Sequence, residues 1–225
     1  HRRSSQHWGR RRYVLDTVNG IMSVAPITLR EILDIFIMVA FLAYIFKDII
    51  KPRQQQSIIE YIDRGNVDKA TSSWLSSDLW FTIAVVGPCI VLHELAHKFV
   101  AMAFGYDAVF YAFYHQPFTL IVGIIAILSI TYNWGFLLIV PGFVQILGGP
   151  PPGTNALIAF AGPAIHGLFY LTSLVVERQG LAGTPDQRDF WYMTRKLNGF
   201  LFIFNMLPLP GIDGFKVFTS LVQLL

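Results

Sequence analysis

The sequence predicts an all-α polytopic membrane protein, with about four transmembrane helices plus a re-entrant or hairpin element that can include short β-strands. Three observations carry that expectation. Charged side chains are 14% of the 225 residues, against about 25% in a soluble domain. Hydrophobic residues reach 54%. From Ala108 to Val176, 69 consecutive residues carry no Asp, Glu, Lys or Arg, too few charges to surround a core in water. The expected location is the cell membrane, crossed several times.

The elements follow in order. Residues 1–30 form a basic segment (Arg2, Arg3, Arg10, Arg11, Arg12), a signal for the cytoplasmic side or for lipid headgroups. Residues 31–50 are the first span. Residues 51–77 are a polar linker or surface helix, with Ile58, Ile59 and Ile62 on its apolar side. The membrane core occupies 78–225. Its first span is Asp78–Phe104, with Asp78 at the helix start and Gly105 as the stop. Phe118–Leu147 is too long for one crossing and is interrupted at Asn133-Trp134-Gly135 and Pro141-Gly142, so a hairpin or re-entrant element fits better. Within it, Phe136–Ile146 has strand character. Gly148–Asn155 reads as a turn, Leu157–Val176 as a span, Glu177–Asp189 as a polar loop, and Phe190–Leu225 as a last apolar segment broken by Pro208 and Pro210.

Composition also excludes functions. A single cysteine, Cys89, rules out an internal disulfide framework and a multi-cysteine zinc ribbon. The net charge of +3 is concentrated at one end, where it suits a membrane surface better than nucleic acid. No nucleic-acid partner is expected; the lipid bilayer is.

The chemistry centres on His93-Glu94-Leu95-Ala96-His97. Positions i and i+4 share a helix face, so His93 and His97 can hold one Zn²⁺. Glu94 stands beside them as the acid/base group for a hydrolytic water. Ionisable groups inside an apolar span are costly and mark functional sites. A catalytic zinc takes a third protein ligand, and Asp213, His166 and His115 are the candidates in apolar surroundings. Asp213 is the strongest, because Pro208 and Pro210 break the backbone just before it, and broken backbone at membrane depth is tolerated where it is buried or lines a wet cavity. Cys89, one turn before His93, reads as a small buried hydrophobe.

HELAH in one span, Ala161-Gly162-Pro163 in a later one, and Asn205-x-x-Pro208-x-Pro210-x-x-Asp213-Gly214 in the last closely resemble the site-2 protease family of intramembrane zinc metalloproteases, in its prokaryotic form. The resemblance spans Asp78–Leu225. It implies that His93, His97 and Asp213 ligate one zinc per chain, that Glu94 is the catalytic base, and that Asn205 helps to hold substrate. The family has an asparagine three residues past the Ala-Gly-Pro proline. Here that position is His166, a candidate substrate or oxyanion contact. The implied partner is a transmembrane protein substrate, cut in or near its membrane helix in regulated intramembrane proteolysis.

Topology gives a consistency check. With the basic end inside, His93, His97 and Asp213 reach one depth, toward the cytoplasmic side, if Phe118–Leu147 returns to the side it left. Two other classes compete: a membrane zinc-binding transporter, which gives no reason for Glu94 at its position, and an inactive protease relative, which would lack a ligand or the base.

Overall fold

The computed structural model describes residues 26–50, 74–134 and 142–225. The arginine-rich start, the linker with Ile58, Ile59 and Ile62, and the first half of the Phe136–Ile146 strand lie outside the described residues. Within them run six α-helices and two short strands: α1 (Leu29–Phe46), α2 (Trp74–Ala103), β1 (Ala108–Ala112), α3 (Pro117–Thr131), β2 (Gly142–Ile146), α4 (Pro152–Arg178), α5 (Pro185–Asn205) and α6 (Asp213–Val222).

Helix α4 is the hub and packs against α2, α5 and α6, while α1 packs on α2. Among the described residues, two helices are long and apolar enough to cross a membrane, Leu79–Ala103 and Pro152–Arg178. The outer face of α4 is a stripe of exposed Leu157, Phe160, Leu168, Leu171 and Val175, the i, i+3, i+4 spacing of one helix face. Polar and charged groups go inward instead: Glu31, Asp34, His93, Glu94, His97, Lys98, His166 and Asn198 are all buried. Apolar side chains outside and ionisable ones inside suit a surrounding solvent of low polarity.

Helix α1 begins with a capping box. The Thr28 hydroxyl accepts from the Glu31 backbone N–H at 3.3 Å, and the Glu31 carboxylate accepts from the Thr28 N–H at 2.8 Å. The same carboxylate takes the Lys98 ammonium of α2. With both side chains about 2% exposed, removing either partner would strand a buried charge, at a cost of about 3–5 kcal/mol. One turn on, Asp34 accepts from the Tyr114 hydroxyl and lies 3.0 Å from His115 Nε2. The Asp34 carboxylate also lifts the Tyr114 hydroxyl above its ordinary pKa, because it stabilises the protonated phenol.

The strands pair antiparallel, with Ala108 opposite Ile146 and Ala112 opposite Gly142. This pairing brings the two ends of the 113–141 stretch together, so the chain returns to where it left. Strand β2 falls inside the segment read as strand-like. Its partner β1 lies before that segment and was not foreseen: AVFYA is short and runs on directly from the helical region. Helix α3, with Pro117 in its first turn, is a 15-residue apolar helix, short for a crossing of about 20 residues.

Several boundaries move. Helix α2 starts at Trp74, so Asp78 lies within its second turn rather than at its cap. Helix α4 starts at Pro152, a residue pre-set for the first turn, which shortens the expected 148–155 turn. The polar loop shrinks because α4 runs on to Arg178 and α5 starts at Pro185, where Thr184 and Gln187 form a second capping box. Arg195 and Glu177, paired at 2.8 Å, join α4 to α5 across that loop. The last apolar segment does break at its prolines, into α5 and α6.

Candidate metal centre

Helix α2 supplies the first two groups. Four residues apart, His93 and His97 lie on one face with ring centroids 4.7 Å apart and planes at 85°. The third group arrives from α6. After α5 ends at Asn205, Gly211 adopts φ +91° and Ile212 is extended, so the chain re-enters a helix with Asp213 as its first residue. Gly214 makes that entry possible: a Cβ there would stand 2.5 Å from the Leu207 carbonyl oxygen and from Met206 C. Asn155 of α4 donates to the Ser220 hydroxyl at 2.8 Å and holds α6 in place.

His93 Nε2 and His97 Nε2 are 3.1 Å apart, and Asp213 Oδ2 lies 3.1 Å from the first and 3.3 Å from the second. Donors on a tetrahedral ion with bonds of about 2.0–2.1 Å stand about 3.3 Å apart. The donor chemistry points the same way. His97 Nδ1 sits 2.7 Å from the Ile158 carbonyl and must donate there, so the neutral ring presents a lone pair at Nε2. That lone pair faces a carboxylate oxygen and a second imidazole nitrogen, so three donor atoms converge on one point, which a shared proton or a single cation can occupy. Two imidazoles and a carboxylate are a zinc donor set. Among the described residues this is the one group of three or more such side chains able to share an ion.

The outer supports differ between the histidines. His97 is held by the Ile158 carbonyl of α4, whereas the buried His93 Nδ1 has no hydrogen-bond partner among the described residues. His93 is oriented instead by its neighbour: the His166 ring lies 4.7 Å away at 33°. His166 in turn sits with Nδ1 2.8 Å from Asn198 Oδ1, and Asn198 donates to the Thr194 carbonyl at 2.8 Å. His166 therefore packs behind His93 and is not one of the three gathered ligands. His115 is elsewhere, against Asp34. The Cys89 thiol is turned to its own helix, donating to the Val86 carbonyl at 3.1 Å. Glu94 is buried, with His93, His97, Asp213 and Lys216 as its charged surroundings. Asn205 is the half-buried last residue of α5, just before the backbone on which Gly214 rests.

Two contributors escaped the sequence reading. Gly162 of Ala-Gly-Pro is pressed against the ligands: a Cβ there would meet His97 Nε2 at 2.3 Å and His93 Nε2 at 2.7 Å. Asn198 is the other, a fully buried amide that carries no local signal, since Thr194, Arg195 and Lys196 just before it are polar as well. Pro163, inside the same helix as Gly162, lacks an N–H and so leaves the Ala159 carbonyl, next to Ile158, without its helical donor.

The ligand assignment yields a first expected outcome. Replacing Asp213 with Ala should weaken zinc binding by more than about 100-fold, while His166→Ala should cost about tenfold, in the range for residues that only orient a ligand. Metal content after dialysis against a graded chelator series checks this, and the reverse order would make His166 the third ligand.

No family model matches the chain, and no solved structure matches it. Two curated proteins do. "Putative zinc metalloprotease MJ0611" of Methanocaldococcus jannaschii is 30% identical over 203 residues, covering 87% of each chain. "Putative zinc metalloprotease YwhC" of Bacillus subtilis is 29% identical over 149 residues, 58% of this chain and 64% of its own. Both names speak of zinc, the metal whose donor set the His93–His97–Asp213 triangle matches. With that likeness running through nearly the whole length of the archaeal protein, the chain belongs to the zinc metalloprotease family.

Proposed function

We propose that the protein is an intramembrane metallopeptidase of the site-2 protease type, cutting a peptide bond in or near a transmembrane helix of a membrane-protein substrate. The observation that carries this reading is the gathering of His93, His97 and Asp213 at 3.1–3.3 Å, on an apolar helix whose neighbours turn their large hydrophobic side chains outward. On this reading α1, α2, α4 and the α5–α6 segment cross the membrane, α3 and the sheet form the re-entrant element, and the site opens toward the cytoplasmic side.

His93, His97 and Asp213 would hold the ion; when bound, zinc acidifies water and polarises a carbonyl. Glu94 takes the proton from the attacking water and passes it to the leaving amine. Asn205 and His166 remain the candidate substrate contacts. The substrate helix must unwind, since its carbonyls are otherwise engaged, and an unwound stretch needs backbone partners. The sheet offers them on one side. The Phe110 N–H is taken by Glu31 at 2.8 Å, and Arg30 reaches the Phe110 carbonyl at 3.5 Å, so the outer edge of β1 is occupied by α1. Antiparallel alternation turns the N–H and C=O of Val144 and Ile146 away from β1, which leaves the β2 edge for strand addition. A membrane helix cannot leave the bilayer cheaply, so it enters sideways, between α1 and the last segment.

The test is incubation of the purified protein with a transmembrane model substrate. Cleavage should occur, stop on chelation, and return on adding zinc. An intact substrate at every zinc level would overturn the reading.

A further inference from the structure

We infer that Glu31 is a positioning residue that sets which peptide bond is cut, by tethering the β1–β2 sheet to the metal-bearing helix α2. The inference rests on the proposed strand addition at β2, and it concerns a residue far from the ligands in sequence.

One buried carboxylate joins three elements. Glu31 Oε1 receives both the Lys98 ammonium of α2 and the Phe110 N–H of β1, the latter at 2.8 Å, while Oε2 receives the Thr28 N–H and hydroxyl at 2.8 and 3.0 Å. Lys98 directly follows the ligand His97, so the tether starts one residue from the metal centre. The sheet is also held by apolar packing: Ala108 of β1 clusters with Ala101 of α2 and Ile158 of α4, and Val144 and Ile146 of β2 pack against that cluster. Ile158 is also the residue whose carbonyl holds His97. The sheet is therefore held by two contacts, one polar through Lys98 and one apolar through Ile158, each of which leads directly to His97.

The two grips differ in kind. Packing on Ile158 fixes the distance between sheet and helix but lets the strands slide, because apolar contact is non-directional. The bond from Phe110 N–H to Glu31 is directional and ties one named residue of β1. A slide of one residue would move a strand by about 3.4 Å, enough to bring a neighbouring peptide bond to the metal. Neighbouring residues of α1 add to this grip, with the Arg30 guanidinium 4.2 Å above the Tyr111 ring and Asp34, one turn on, bonded to Tyr114. A buried ion pair adds little stability over apolar residues of the same volume; what it supplies here is a fixed register.

The test replaces the pair as a pair, Glu31→Leu with Lys98→Met, so that no buried charge is stranded. The double variant should fold and keep its zinc. Cleavage of a transmembrane model substrate, mapped by mass spectrometry, should spread from the wild-type bond to its neighbours, with kcat/KM at the original bond down about 100-fold, as for a misplacement of about 1 Å. Glu31→Gln combined with Lys98→Met, which strands no charge and retains an oxygen for the Phe110 N–H, should keep the original bond. A second readout needs no catalysis: spin labels at Phe99→Cys and Gln145→Cys, in a Cys89→Ala background, should show a broader distance distribution in the double variant. Unchanged cleavage position with an unchanged distribution would overturn the inference, as would loss of zinc from the double variant, which would make the pair part of the metal centre. A wild type that cuts nothing would overturn the functional reading, while the label distances would still decide the tether.

Discussion

Replacing Glu94 with Gln leaves zinc bound and lowers the cleavage rate by about 10²–10⁴-fold, the usual contribution of one well-placed acid/base group. The geometry motivates the split. His93, His97 and Asp213 close a triangle with sides of 3.1–3.3 Å without Glu94, so an amide at 94 removes no ligand. It does remove the proton acceptor, and an amide has no basic lone pair to replace it. Glu94 is also buried beside both histidines and Asp213, so no other carboxylate of the triangle can take over while serving as a ligand. Metal content and turnover are measured on one preparation. Wild-type turnover in the Gln variant would refute the hydrolytic role, and loss of zinc would make Glu94 a ligand.

Gly162→Ala should empty the metal site with no damage to the fold. The added Cβ would stand 2.3 Å from His97 Nε2 and 2.6 Å from His93 Cε1, well inside contact distance of the nitrogens that must face the ion. Helix α4 cannot back away cheaply, since His97 Nδ1 is bound to its Ile158 carbonyl at 2.7 Å. The imidazoles must turn instead, and the donor triangle opens. Alanine is otherwise the better residue in a helix interior, by about 1 kcal/mol. The metal-free variant should thus melt at or above the temperature of the metal-free wild type, while zinc per chain falls toward zero and cleavage with it. Retained zinc with wild-type cleavage would show that α4 yields at this point.

Much of the centre was legible because its signals are local. The i, i+4 spacing of His93 and His97 follows from helix geometry alone, and so does the place of Glu94 beside them. Pro208, Pro210 and Gly211 announce a broken backbone before Asp213 whatever surrounds it. The helical spans and the interruption of Phe118–Leu147 were readable for the same reason, since length and apolarity are properties of a segment.

What the linear chain alone determined, then, is which residues can hold a metal and where the backbone must bend. Tertiary structure decided which of them meet. The broken backbone makes Asp213 the strongest of the three candidates, yet the linear chain leaves His166 and His115 open beside it. Packing of α6 on α4 brings Asp213 to the ligands, packing of α4 on α2 lays His166 behind His93, and the turn after β1 sends His115 to Asp34. The β1 strand, the Gly162 contact and the Glu31–Lys98–Phe110 junction have no local signature at all. Each arises where segments 30 or more residues apart come within contact range, and the physical requirement there — room for a ligand nitrogen, a partner for a buried charge, an acceptor for a strand N–H — exists only once the chain has folded.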